Sequence, residues 1–313
     1  MSEGFRHEPV MLREIVETFS VVPAGWLVDM TLGGGGHAGR LLGERPDCRL
    51  LGLDRDPEAL AAAQRALAPF GDRVVLRHVR FDSLTSVMAA LGIDQISGVL
   101  FDLGVSSHQF DRGERGFSYR HDGPLDMRMD TTSGWSAADV VNGYSADELA
   151  RVIFEYGDER FARRIADAIV AARPVESTVQ LAEIVRAAIP AAARRHGGHP
   201  AKRTFQAIRI EVNAELEALP SALDQAIAAT AVGGRVAVLS YHSGEDRIVK
   251  AHFRRAASGG CSCPSGLPCV CNAIRTVRVV RPEKRTASSA EIAANPRASS
   301  AILRVAEKIA SAS

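Results

Sequence analysis

The chain has 313 residues, 46% of them hydrophobic, and a formal net charge of +1, enough for one large domain or two modest ones and not a highly basic protein. No apolar run reaches the ~18 residues of a membrane span, and the first residues lack a signal-peptide core. Four of the five cysteines crowd into eleven residues, unlike a secreted disulfide framework, so the expectation is a cytoplasmic protein without membrane contact.

The near-zero total hides local asymmetry. Residues 235–285 carry +7 and residues 190–209 carry +5, which leaves −11 for the remainder. Basic segments on an otherwise acidic chain point to a polyanionic partner met by one face, against the alternative of solvated charged faces.

In chain order, a strand is predicted over 26–30, carrying Asp29, and it turns into four consecutive glycines, Gly33 to Gly36. A second strand over 49–53 ends at Asp54. Glycine lets backbone approach a ligand, and an acid at the end of the next strand is placed for ribose hydroxyls. Two cofactors compete for such a site. Gly34-Gly-Gly-His-Ala-Gly39 fits the dinucleotide fingerprint G-x-G-x-x-G, which alone is a weak pattern. Asp29 precedes the first glycine by four residues, giving D-x-x-x-G-x-G, which favours S-adenosylmethionine with its ammonium end near the acid.

Asp56 and Pro57 then open a helix from Glu58 to Leu67, and a third strand spans 73–79. Asp82 or Ser83 caps a helix from Leu84 to Leu91 that stops at Gly92, before a fourth strand over 97–102. This alternation predicts a mostly parallel, doubly wound α/β sheet. The rhythm lapses after Asp102. It resumes at a fifth strand, Gly234 to Ser240, behind a helix stop at Gly233-Gly234, followed by a helix from Glu245 to Ala256. Late strands are predicted at 276–280 and 301–305. Between them lies an irregular stretch, Arg112 to Gly134, and then helices. Ser145-Ala-Asp-Glu148 is a capping box before Leu149 to Tyr156, with further helices at 159–172 and 177–188. The expected organisation is a core of 1–111 and 205–313 with an inserted helical subdomain at 112–204 for substrate recognition. A helix from Ala201 to Leu219 leads back into the core.

Asp102 closes the fourth strand, where reacting atoms face the cleft, and is the leading polar candidate; its plainer role is turn capping. The chain has Asp102-Leu-Gly-Val where many enzymes methylating exocyclic amines have D-P-P-Y, so the target atom stays open. No cysteine sits near that strand end, which argues against carbon-5 methylation of cytosine. The stretch Arg112 to Asp130 mixes arginines with Phe117 and Tyr119. It reads either as phosphate and base contact or as a loop whose arginines pair with Asp122, Asp126 and Asp130. His199-Pro-Ala-Lys-Arg-Thr-Phe205 puts cations at a helix N-terminus, and His242 and Ser243 follow the fifth strand. Cys261, Cys263, Cys269 and Cys271 form C-x-C-x5-C-x-C, a candidate structural zinc site of four thiolates, against plain reduced thiols.

Taken together, these segments resemble the bacterial 16S ribosomal RNA cytosine-N4 methyltransferase family, RsmH/MraW. The resemblance is carried by His7-Glu-Pro-Val10, Asp29-Met-Thr-Leu-Gly-Gly-Gly-Gly-His37, Asp54-Arg-Asp56, Phe101-Asp-Leu-Gly-Val-Ser-Ser107, Arg115-Gly-Phe-Ser118 and Asp122-Gly-Pro-Leu-Asp-Met-Arg-Met-Asp130. It continues through His199-Pro-Ala201, Arg203-Thr-Phe-Gln-Ala207, Glu245-Asp-Arg247 and Asn295-Pro-Arg297. His108 and Gly244 depart from the family's usual Pro and Leu. The resemblance implies a Rossmann-like S-adenosylmethionine-dependent methyltransferase core. It implies cofactor contact by Gly35, Gly36, His37, Asp54, Phe81, Asp102 and Gln109. It also implies methylation of N4 of one cytosine in the decoding region of the small ribosomal subunit's 16S rRNA. Candidate catalytic residues are Asp102, Ser106 and His242, and candidate RNA contacts are Arg194, Arg195, Lys202 and Arg203. A homodimer stays open, as do two other functions: a non-catalytic RNA-binding assembly factor and an NAD-dependent oxidoreductase.

Overall fold

The computed structural model describes residues 9–106, 109–110, 112–132, 134–195, 198–263 and 270–310. Ser107, His108 and Cys269, and His7 and Glu8 of the first motif, lie outside the described residues. The chain divides into two compact units, one of Met1–Gly104 with Leu216–Ser313 and one of Val105–Glu215.

The first unit is an eight-stranded sheet. Its strands are β1 (Gly25–Asp29), β2 (Cys48–Asp54), β3 (Val74–His78), β4 (Ile96–Asp102), β5 (Thr230–Ser240), β6 (Val277–Val279), β7 (Arg285–Thr286) and β8 (Ile302–Lys308). The order is β3-β2-β1-β4-β5-β8-β6, with β7 also pairing β8. The five strands from β3 to β5 are parallel, and β8 runs antiparallel to β5, β6 and β7. The parallel strands are apolar almost throughout because both faces are covered. On one face Val28, Leu51, Leu53, Val99, Phe101, Val236 and Val238 pack with Leu84, Leu223, Val249 and Phe253. On the other, Leu27, Leu50, Leu100, Ala237 and Leu239 pack with Ile15, Phe19, Leu41 and Leu67.

The covering helices are α1 (Leu12–Phe19), α2 (Gly36–Glu44), α3 (Pro57–Leu67), α4 (Leu84–Leu91), and, after the second unit, those at Glu215–Ala229, Ser243–Ser258 and Ser289–Ala294. Asp56 caps α3 by accepting from the Glu58 N–H at 2.9 Å, as its sequence predicts. Ser83, by contrast, makes no side-chain cap on α4, because the chain arrives through a 3₁₀ turn at Phe81–Ser83. Gly92 ends α4 in the left-handed region at φ 64°.

Two boundaries differ from expectation for clear reasons. Gly233-Gly234 is not a helix stop: the preceding helix ends at Ala229 and both glycines lie inside β5. The register jumps from Ile96↔Thr230 to Gly98↔Arg235, a bulge at which Gly233 takes φ 83°. A Cβ on Gly234 would stand 2.6 Å from the Ser97 carbonyl oxygen, so only glycine fits there. The single helix expected over 201–219 is two, Lys202–Asn213 and Glu215–Ala229, broken at Ala214 with φ 48°.

The second unit is helical: α5 (Ala137–Gly143), α6 (Ala146–Gly157), α7 (Ala162–Ala171), α8 (Thr178–Ala188) and α9 (Lys202–Asn213). Ser145 and Glu148 form the expected capping box, and Ser136 with Asp139 forms another that the sequence reading missed. Val140, Leu149, Ile153, Ile165, Ile169, Leu181, Phe205 and Ile208 share its core with Phe117 and Met127. The helices that follow this unit are α10 (Glu215–Ala229), α11 (Ser243–Ser258) and α12 (Ser289–Ala294).

Candidate functional site

Three carboxylates stand at the carboxyl ends of three adjacent parallel strands: Asp29 on β1, Asp54 on β2 and Asp102 on β4. The order reverses between β1 and β4, and such a switch point opens the crevice where doubly wound sheets bind ligands. The glycine turn is stitched across it. The Leu32 N–H donates to the Leu53 carbonyl at 3.0 Å, Met30 N–H to Leu100 at 2.9 Å, and Gly33 N–H to Asp54 Oδ2 at 2.7 Å. Gly33 and Gly35 occupy positive φ, 53° and 80°, which closes the turn. Gly34 differs, because a Cβ there would meet nothing within 4 Å.

Asp29 is 2% exposed and accepts a hydrogen bond from the Thr31 N–H at 3.2 Å. Burial, reinforced by repulsion from Asp102 and Asp54, pushes its pKa up to about 8. Burial also raises Asp54, against hydrogen bonds from the Asp56 and Gly33 N–H groups that favour its charged form. Among the described residues no lysine or arginine pairs with Asp29 or Asp54. Acidic strand ends beside a glycine turn, with no described lysine or arginine on Asp29 or Asp54, suit a ligand that brings positive charge. S-adenosylmethionine, with an ammonium and a sulfonium, fits; a dinucleotide pyrophosphate would be repelled.

Asp102 is held from three sides. Its N–H donates to Thr31 Oγ1 at 2.6 Å, its Oδ1 accepts from the Tyr241 hydroxyl at 2.6 Å, and its Oδ2 lies 3.5 Å from His37 Nδ1. His37 Nε2 faces the Val10 carbonyl at 2.9 Å, and since a carbonyl only accepts, Nε2 carries the proton. Burial and the neighbouring Asp102 keep the Tyr241 pKa well above its ordinary value, so its hydroxyl stays a donor. Thr31 and Tyr241 escaped the sequence reading. A signal for Tyr241 existed, because β4 and β5 are parallel neighbours and Asp102 pairs with Leu239, two residues before it.

The other candidates fall as follows. Gly35 caps α2 and Gly36 opens it, while Phe81 sits edge-on to Phe101 with centroids 6.1 Å apart. His242 is the N-cap of α11: Nδ1 accepts from the Glu245 N–H at 3.4 Å, and Glu245 Oε2 accepts from the His242 N–H. Ser106 and Gln109 belong to the second unit, where the Ser106 N–H donates to Gln109 Oε1 at 3.0 Å and the Gln109 N–H to Ser106 Oγ at 3.3 Å. In the same unit Arg194 Nε donates to the Ile189 carbonyl, Arg203 to the Asp158 carbonyl, and Lys202 opens α9; Arg195 closes a 3₁₀ turn at Ala193–Arg195.

The 112–130 loop follows the structural alternative more than the nucleic-acid one. Phe117 is buried, Arg115 is buried with its Nη2 donating to the Arg128 and Met129 carbonyls, and Arg128 makes a two-pronged pair with Asp126. Tyr119 stacks on His199 at 4.2 Å, leaving little free face for a base. Of the cysteines, Cys261, Cys263 and Cys271 bring their Sγ atoms within 4.8 Å of one another; Cys269 lies outside the described residues. No helix among the described residues is long and apolar enough to cross a membrane.

A protein of Symbiobacterium thermophilum called ribosomal RNA small subunit methyltransferase H is 54% identical over 311 residues, covering 98% of each chain. Its namesake in Citrifermentans bemidjiense is 50% identical over 312 residues, covering 98% of this chain and all of that one. That of Geobacter sulfurreducens is 51% identical over 310 residues, 97% of this chain and 99% of its own. Residues 4–309 match the family described as MraW methylase, and the chain belongs to that family.

Proposed function

We propose that this chain transfers a methyl group from S-adenosylmethionine to the RNA of the small ribosomal subunit, at N4 of a cytosine in the decoding region of 16S rRNA. Family membership supports the reaction, and the buried carboxylates of Asp29 and Asp54, which no described lysine or arginine pairs, carry the cofactor assignment. We place the chain in the cytoplasm, with the ribosomal RNA it would modify.

When bound, S-adenosylmethionine supplies an electrophilic methyl group on a positively charged sulfur. The chain's own work is alignment and proton handling. Gly33 to Gly36 admit the ligand backbone-close, and Asp54 offers its remaining lone pairs to ribose hydroxyls. Asp29 would hold the ammonium. Cytosine N4 is a weak nucleophile, because its lone pair is delocalised into the ring. A fixed acceptor for an N4–H both orients it and takes up the proton. Asp102 is our choice for that acceptor, since Tyr241 and Thr31 hold it rigidly at the strand end. Ser106 and His242 rank behind it, the first tied to Gln109 and the second engaged as a helix cap. We assign the second unit to RNA recognition, with Arg194, Arg195, Lys202 and Arg203 contacting phosphates.

Small subunits from a strain lacking the enzyme, incubated with tritiated S-adenosylmethionine and the purified chain, should gain one N4-methylcytosine, located by nuclease digestion and mass spectrometry. Absence of methyl incorporation into subunits and into free 16S rRNA would leave a binding protein on a methyltransferase fold.

A further inference from the structure

We propose that Cys261, Cys263 and Cys271 bind one zinc ion that fixes the loop between α11 and β6. The three Sγ atoms already lie within 4.8 Å of one another. Tetrahedral zinc with thiolate bonds of ~2.3 Å sets sulfur separations near ~3.8 Å, so small side-chain rotations close the site. On binding, the thiols lose their protons to solvent and the ion stays divalent, with no redox partner required.

Two further observations say that this loop needs such a centre. Its base is tightly pinned: the Thr276 N–H donates to the Ala256 carbonyl at 3.1 Å, the Gly260 N–H to Arg255, and the Cys261 N–H to Ser258. A Cβ on Gly259 would stand 2.5 Å from the Ile274 carbonyl oxygen, so the two ends of the loop touch backbone to backbone. Yet no described residue between 259 and 276 joins a hydrophobic core, and Val270 and Ile274 are 83% and 51% exposed. Described residues that enter no hydrophobic core gain little from packing, and a metal staple would hold them in its place. Packing does not explain why three thiols converge there. Cys48 shows the ordinary case, 1% exposed inside the core at the start of β2.

The test uses the full chain, purified under reducing conditions without added metal or chelator. Elemental analysis should find about one zinc per chain, released by an organomercurial thiol reagent in the same ratio. Cys261→Ser and Cys271→Ser should each lose the zinc, Cys48→Ser should keep it, and all three should bind S-adenosylhomocysteine like the parent. Stripping the metal should speed trypsin cleavage after Arg275 at least tenfold, with cofactor affinity unmoved. Reduced protein that holds no zinc and takes up none when it is supplied would overturn the proposal. So would zinc retained by a variant with all three cysteines replaced, or a disulfide among them in freshly purified protein. None of these outcomes bears on the methyltransferase reading.

Discussion

If Asp29 holds the cofactor's ammonium as proposed, its raised pKa makes cofactor binding pH-dependent, by an amount that follows from the structure. The cationic ligand needs the carboxylate, whereas the ligand-free protein holds the proton up to about pH 8. At pH 6 the ionised fraction is ~1%, so binding there pays ~2.7 kcal/mol, about 100-fold in affinity, relative to a fully ionised site. S-adenosylhomocysteine, which keeps the ammonium, should therefore bind about tenfold more tightly per pH unit from 6 towards 8 and then level off. Calorimetry in two buffers of different ionisation heat should count about one proton released per ligand at pH 6–7. Stability runs the other way. The folded pKa of Asp29 lies above its unfolded value of ~3.9, so its contribution is fully present below that value and is lost as pH rises through about 8. Asp29→Asn should raise the melting temperature of the ligand-free protein at pH 8 while weakening S-adenosylhomocysteine at that same pH. An affinity flat between pH 6 and 8, or an Asn variant that binds as tightly as the parent, refutes the reasoning.

Asp102→Ala should leave the fold intact and lower methyl transfer about 10–150-fold, the worth of one charge-assisted hydrogen bond of ~1.5–3 kcal/mol. If the loss vanishes at saturating S-adenosylmethionine, Asp102 serves only the cofactor and the N4 role is wrong. Tyr241→Phe removes the donor to Asp102 Oδ1 and should slow transfer about tenfold with unchanged circular dichroism; an unaltered rate would strip Tyr241 of a positioning role. Replacing Arg194, Arg195, Lys202 and Arg203 by Gln should weaken RNA binding and cut the slope of log affinity against log salt by about 3, leaving S-adenosylhomocysteine affinity alone. An unchanged slope removes these residues from the RNA surface. Gly34→Ala, at a position with open space for a Cβ, should fold like the parent but bind cofactor poorly, whereas Gly35→Ala, at φ 80°, should cost ~1 kcal/mol or more of stability. Equal behaviour of the two variants would refute the division of labour in that turn.

The parallel strands were legible because residues buried on both faces write continuous apolar runs, and their ends were legible because Asp29, Asp54 and Asp102 interrupt those runs. The helical insertion showed through its capping chemistry at Ser145 and Glu148. What stayed hidden depends on partners distant in sequence. Nothing local to Arg115 says that its guanidinium will be buried against the carbonyls at 128 and 129, or that Phe117 will enter a core with Ile165 and Leu181. Likewise a glycine pair reads as a helix stop until the opposing strand forces a bulge on it at Gly98. Tyr241 is the instructive case. Its role follows from register alone, once β4 and β5 are known to be parallel neighbours.

The same logic explains why the carboxylates persist at a cost. Burying Asp29 without a cation destabilises the ligand-free chain at neutral pH, and repulsion from Asp54 and Asp102 adds to that penalty. An arginine in the crevice would relieve it, and arginine is plentiful elsewhere: the chain pairs Arg45 with Asp47, Arg128 with Asp126 and Arg304 with Asp246. At the strand ends that solution would fill the very volume and cancel the very charge that a cationic cofactor uses. Among the described residues, the lack of a lysine or arginine paired with Asp29 is therefore what the proposed binding site would require. Its energetic signature is a protein that tightens when ligand arrives, and an Asp29→Asn variant that is more stable empty and less stabilised by ligand separates this account from one in which Asp29 merely terminates a strand.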